Sequence, residues 1–156
     1  MKVNIEETFA LGNQSEEAVK SYYESGGWSV KKKDHKLFPY DFDICKEDKV
    51  VKVEVKTFGH PTYTTLFAET EQVSAQNRIV SIPEYLTHKD DIDFILWVDR
   101  LNNKGYIFKN KTFADYILMN KHKEFYNKFS SGKGILIERD CKEAGYVKTI
   151  TLQGDN

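Results

Sequence analysis

Between Val51 and Lys56 apolar and charged side chains alternate: Val51, Val53 and Val55 against Lys52, Glu54 and Lys56. Successive strand residues point to opposite faces, so the spacing predicts a strand with one apolar and one charged face. After Pro39, the residues Tyr40, Phe42 and Ile44 alternate in the same way with Asp41, Asp43 and Cys45. The polar turn Lys46–Lys49 then joins the two strands into an antiparallel hairpin. Upstream, QSEEAVKSYYES places Ala18, Val19, Tyr22 and Tyr23 at helical spacing over 14–25, with Ser15 as the expected cap and Gly26-Gly27 as the stop. A short strand is expected over Trp28–Lys32.

Downstream, YTTLFAETE has strand composition, and the stretch from there to about His88 reads as a long loop with one helical turn. FILWV, Phe94 to Val98, is apolar without interruption, which suits a strand covered on both faces, and Gly105 to Phe108 is its expected neighbour. From Thr112 the positions Phe113, Tyr116, Ile117, Phe125 and Phe129 follow a helical pattern interrupted near Asn120. GILIE and YVKTITL read as two closing strands. There is no internal repeat and no linker.

With 156 residues the chain fits one domain, 1–156, able to bury a core without disulfide or metal staples. No apolar run is long enough to cross a bilayer and the N-terminus does not read as a secretory signal, so a cytoplasmic setting without membrane attachment is expected. Cys45 and Cys141 stand far apart with no ligand-type neighbour at metal spacing, so reduced thiols are expected. The formal net charge of -1 argues against a wholesale polyanion binder, yet residues 101–134 hold seven lysines against Asp115 and Glu124.

An E-x-K pair on a strand is by itself a cross-strand charge pair worth a few tenths of a kcal/mol. The hairpin changes its meaning, because it brings Asp41 or Asp43 beside Glu54 and Lys56, with a glutamate of the first helix as a third acid. Carboxylates brought together repel unless a cation lies between them. A hard divalent ion such as Mg2+ takes one or two protein carboxylates, keeps several waters and accepts phosphate oxygens for the remainder. Such an ion lowers the pKa of a bound water and polarises a phosphoryl oxygen. Lys56 would orient the attacking water or stabilise charge on the phosphate, and the backbone carbonyl of Val55 offers a further oxygen ligand.

GNQSEEAVKSYYESGGW, PYDFDIC and KVEVKTF, in this order, resemble the PD-(D/E)xK nuclease superfamily, in particular its short phage-type and resolvase-like members. The resemblance spans Gly12 to Phe58 and extends loosely to GYIFKNKTFADYI. Glu16 fits the helix pattern with Val19 and Gly27-Trp28, and Asp41 follows an aromatic residue and precedes Glu54 by thirteen positions. Asp43 is the reserve. The resemblance implies a mixed α/β, restriction-endonuclease-like core, a central mixed β-sheet flanked by helices. It implies a Mg2+-dependent nuclease, with Mn2+ able to substitute, that hydrolyses phosphodiester bonds as a DNA endonuclease of phage or mobile-element type. Asp41 and Glu54 would bind the metal with Val55, Lys56 would act on the water, and Glu16 would assist the metal.

For nucleic-acid contact the expected residues are Lys31, Lys32 and Lys33 after the first helix and Lys109 and Lys111 further on, with Lys104, Lys121 and Lys123 as additional candidates. Glu69 or Glu71 could reach the edge of the site. No histidine has general-base or zinc spacing. The rivals are a nuclease-fold module that binds nucleic acid or protein without cutting, and an RNA nuclease or Holliday-junction resolvase with the same chemistry. A resolvase would require a homodimer.

Overall fold

A computed structural model describes residues 5–57, 65–73, 80–126 and 132–153, with side chains of the first helix from Leu11 onward. In chain order these form α1 (Ile5–Ser25), β1 (Ser29–Lys32), β2 (Phe42–Lys46), β3 (Lys49–Thr57), β4 (Thr65–Val73), β5 (Val80–Ser81) and α2 (Glu84–Thr87). There follow β6 (Phe94–Asp99), β7 (Lys104–Lys109), α3 (Asn110–Met119), β8 (Phe125–Tyr126), β9 (Lys133–Glu138) and β10 (Tyr146–Thr151).

The hairpin expected from the two alternating stretches is present: β2 pairs antiparallel with β3, Phe42 opposite Val53 and Lys46 opposite Lys49. It continues into a six-stranded mixed sheet of order β1-β2-β3-β6-β7-β10. The pairing of β3 with β6 is parallel, Glu54 lying opposite Ile95 and Lys56 opposite Trp97. Asp93 fixes that register, its backbone N–H donating to the Lys52 carbonyl while its carboxylate accepts from the Lys52 N–H at 2.8 Å. Asp93 is thus a structural residue.

Apolar groups fill both sides of the sheet. Toward α1, Val19 packs with Phe42, Ile44, Val53, Val55, Leu96 and Val98. On the opposite side Ile95, Trp97 and Phe108 pack with Tyr85 and with Phe113 of α3. That second layer also holds Leu66, Ala68, Ile135 and Ile137 from a smaller sheet of order β5-β4-β9-β8. A mixed α/β core with a central mixed sheet flanked by helices is therefore observed, with this second sheet added on one flank.

Three local expectations change. β3 does not carry a solvated charged face: the smaller sheet and α2 lie over that side, and Glu54 is only 7% exposed. Ser15 is not a cap. α1 begins ten residues earlier, at Ile5, because Glu6, Glu7, Ala10 and Leu11 favour helix and Gly12 is tolerated within it. The helical pattern from Thr112 ends at Met119, where the Asn120 side chain donates back to the Tyr116 carbonyl at 2.8 Å. Phe125 instead lies in β8, paired with Gly134 of β9, and Phe129 falls outside the described residues. Both closing strands are present, β9 joining the small sheet and β10 pairing with β7.

Gly145 links the small 3-10 turn Lys142–Ala144 to β10 with φ of 92°. A Cβ there would meet the Thr112 Cβ at 2.8 Å and the Lys109 carbonyl oxygen at 3.1 Å. Gly145→Ala should cost about 1–3 kcal/mol from the left-handed backbone and the collision together. Thermal denaturation should register this as a midpoint lower by roughly 2–4 °C for each kcal/mol.

Candidate active site

Asp41 sits in the bend just before β2, where three backbone contacts hold it. Its N–H donates to the Val53 carbonyl at 3.1 Å, its own carbonyl accepts from the Lys33 N–H at 2.8 Å, and its Oδ2 accepts the Val55 N–H at 2.8 Å. The last bond draws its carboxylate over the middle of β3. Asp43, two residues on, is occupied elsewhere: it accepts from the Tyr40 hydroxyl at 2.8 Å and pairs with Lys33 at 3.1 Å. Of the two aspartates it is Asp41 whose carboxylate lies over β3.

Glu16 and Glu54 both hydrogen-bond Asp41 through their side chains. Glu16 is placed by the buried Ser15 beside it, whose hydroxyl donates to the Leu11 carbonyl at 2.9 Å and meets the Thr57 hydroxyl at 3.0 Å. That contact ties α1 to the far end of β3. Glu54 comes from the buried centre of the same strand.

Burial pushes the Glu54 carboxyl well above its ordinary value, helped by its hydrogen bond to Asp41 and by the negative charges of Asp41 and Glu84; Lys56 opposes the shift. Burial, then the charge of Asp41 and a hydrogen bond to it, likewise raise Glu16, against the pull of Lys32. The three acids are thus joined pairwise through Asp41, and the outer two hold their protons more tightly than an ordinary glutamate does. Among the described residues no group of three or more His, Cys, Asp or Glu side chains converges on a single point as a ready metal cage. The donor set, carboxyl oxygens that resist sharing charge, nonetheless fits a hard cation in its chemistry.

Lys56 lies next to this cluster, its Nζ 5.8 Å from the centroid of the buried Tyr85 ring. Glu54 and Lys56 form one wall of a cleft of about 270 Å3 whose other walls are Gln72, Ser81, Ile82, Pro83 and Glu84. Of the lysines expected to contact substrate, Lys32 reaches the cluster, its Nζ 3.4 Å from Glu16 Oε2, and Lys31 is exposed beside it on β1. Lys33 is held by Asp43 and by the Phe38 ring, 4.2 Å from its Nζ. Lys109 is exposed at the end of β7, just before α3, and Lys111 pairs loosely with Asp90 at 3.8 Å. Lys104 donates to the Thr151 hydroxyl at 2.9 Å.

Sequence reasoning missed Gln72, Ser81, Glu84 and Tyr85 as neighbours of Lys56. Gln72 and Ser81 face each other across the β4–β5 pair, and these two, Glu84 and Tyr85 come to Lys56 only because the small sheet and α2 lie over β3, a tertiary placement that leaves no local pattern.

The fold is that of a mixed α/β protein with a central mixed sheet. It is similar to the solved structure of I-Ssp6803I, a bacterial homing endonuclease, with a TM-score of 0.54 and 21% identity, over 70% of this chain and 73% of that one. No protein-family model and no curated protein matches the sequence.

Proposed function

We propose that the protein is a Mg2+-dependent endonuclease of the PD-(D/E)xK type that hydrolyses phosphodiester bonds in DNA. The observation that carries this reading is the joining of Glu16, Asp41 and Glu54 beside Lys56 at the edge of a cleft. The endonuclease nature of the structural neighbour supports it.

Asp41 and Glu54 would hold the metal, with the Val55 carbonyl as a further oxygen and Glu16 bonding one of the metal's waters. A bound Mg2+ supplies a more acidic water and neutralises charge on the scissile phosphate. The chain's own groups do the remainder. Burial around Glu54 excludes water and strengthens the field of each charge in the site. The Lys56 ammonium, presented at the cleft wall, donates hydrogen bonds to the attacking water or to a non-bridging phosphate oxygen as charge grows there. Lys31 and Lys32, on the exposed edge strand, contact the flanking backbone.

Supercoiled plasmid incubated with the purified protein tests this directly. Nicking is expected with Mg2+ or Mn2+ and none with EDTA. DNA that is bound but never cut would leave a binding module of nuclease fold, and cutting confined to RNA or to four-way junctions would point to the other specificities.

Retention of duplex should fall with added salt, because lysine contacts release condensed counterions. Two to four phosphate contacts predict a loss of roughly 10- to 100-fold between about 50 mM and 200 mM salt. Gel-shift titration at both concentrations measures it, and a flat response would remove the lysines from the interface.

A further inference from the structure

Asp41 lies in a bend just outside the paired residues of β2, its main chain held by the Val53 carbonyl and the Lys33 N–H. Side chains complete the hold. Lys33 makes two contacts side by side, its N–H donating to the Asp41 carbonyl at 2.8 Å and its ammonium lying 3.1 Å from Asp43 Oδ2. From the other flank the Tyr40 hydroxyl donates to Asp43 Oδ1 at 2.8 Å, so both Asp43 oxygens are bonded to residues that flank or face Asp41. These groups are sheltered: Tyr40 belongs to the buried core, and the Lys33 and Asp43 side chains are only 21% and 16% exposed. The Phe38 ring, 4.2 Å from Lys33 Nζ and 6.0 Å from the Tyr40 ring, covers the pair.

The arrangement supplies rigidity without adding charge. A lone Lys33 ammonium next to Asp41 would repel a cation and a lone Asp43 carboxylate would compete for it, whereas the two together cancel. Asp41 needs the support because ionised Glu16 and Glu54 repel its carboxylate, and a bend residue swings away more readily than one inside a ladder. We propose that Lys33 and Asp43, with Tyr40, are positioning residues of the metal site: their ion pair clamps the bend so that the Asp41 carboxylate stays over β3, on the Val55 N–H. Lys33 is then a brace and not a phosphate contact, and Asp43 a brace and not a ligand. The consequence for metal rests on the nuclease reading, while the hold on Asp41 does not.

Calorimetric titration of the metal-free protein with Mn2+ tests this in Lys33→Met, Lys33→Arg, Asp43→Asn and the Lys33→Met/Asp43→Asn double variant. Lys33→Met and Asp43→Asn should each weaken Mn2+ binding about 10-fold, the lower end of what loss of a ligand's orienting partner costs. Lys33→Arg should restore most of the affinity, and the double variant should bind no more weakly than the weaker single variant. Duplex affinity measured in EDTA should stay at the wild-type value in all four. Unchanged Mn2+ affinity in Lys33→Met, losses that multiply in the double variant, or weaker duplex binding by Lys33→Met would each overturn the assignment and leave the nuclease reading standing. Tyr40→Phe, which removes one hydroxyl and keeps the ring, carries the same test if the charge variants do not fold: its Mn2+ affinity should fall, and a wild-type value sinks the proposal. Wild-type protein that binds no Mn2+ would refute the nuclease reading instead. The clamp is then read from amide exchange, since the Val55 N–H donates to Asp41 Oδ2. Exchange at Val55 that quickens in Lys33→Met relative to Leu96 of β6 supports it, and an equal change at both sites overturns it.

Discussion

Glu54→Gln should abolish cleavage and at the same time leave the metal-free protein more stable near neutral pH. The variant keeps the shape and hydrogen-bonding capacity of a group that is 7% exposed but removes its charge. Metal binding loses a principal carboxylate, so the cleavage rate should fall by about 10^3-fold, and Lys56→Ala should fall by about 10^2–10^3-fold, the size seen when one preorganised charge-stabilising group is removed. Stability should move the other way. A buried carboxyl that must ionise beside Asp41 is strained at neutral pH, and each tenfold displacement of proton affinity corresponds to about 1.4 kcal/mol. Activity lost together with stability gained is the signature of a group kept for function at the expense of the fold. Plasmid nicking and thermal melting on one preparation read both. A variant that cuts as well as the parent would assign the activity elsewhere.

The melting temperature of the metal-free protein should fall as pH rises from about 5 to about 8, and Mg2+ should restore much of the loss at the upper end. In the unfolded chain both glutamates ionise around the ordinary value of 4.5. In the native protein burial and Asp41 hold their protons to higher pH, so above that value the native state binds more protons than the unfolded one. The stabilisation this represents is complete below pH 4.5 and is lost as pH climbs through the raised native values. A cation among the carboxyls reverses the balance by favouring their ionised forms, so Mg2+ should raise the midpoint more at about pH 8 than at about pH 5. Glu16→Gln and Glu54→Gln together should flatten the pH dependence and remove the response to metal. Differential scanning calorimetry at several pH values with and without Mg2+ measures this, and a Mg2+ response independent of both glutamates would place the ion elsewhere.

Features set by neighbours in sequence were the legible ones. The β2–β3 hairpin needs only two alternating stretches and a polar turn, so the approach of Asp41 or Asp43 to Glu54 followed from spacing alone. The uninterrupted apolar run Phe94–Val98 likewise announced a strand covered on both faces, and all but Phe94 of it is buried. The choice of Asp41 over Asp43 was not available locally, since it depends on Tyr40 and Lys33 occupying Asp43. Nor was the burial of Glu54. Alternation predicted a solvated side for β3, and only the stacking of the small sheet and α2 over that side closes it. Phe125 was misread because its spacing from Ile117 suits a helix, whereas Asn120 ends α3 and β9 offers an edge to pair with. Tyr85 and Gln72 went unnoticed beside Lys56 because only the stacking of the small sheet and α2 over β3 sets them there.

Crystals grown with Mn2+ and examined by anomalous scattering test the central claim most directly. A peak is expected within bonding distance of the Asp41 and Glu54 carboxylates, with Glu16 reached directly or through one water and Lys56 beside it. A peak at some other cluster, or carboxylates that remain bonded to one another under saturating metal, would contradict it.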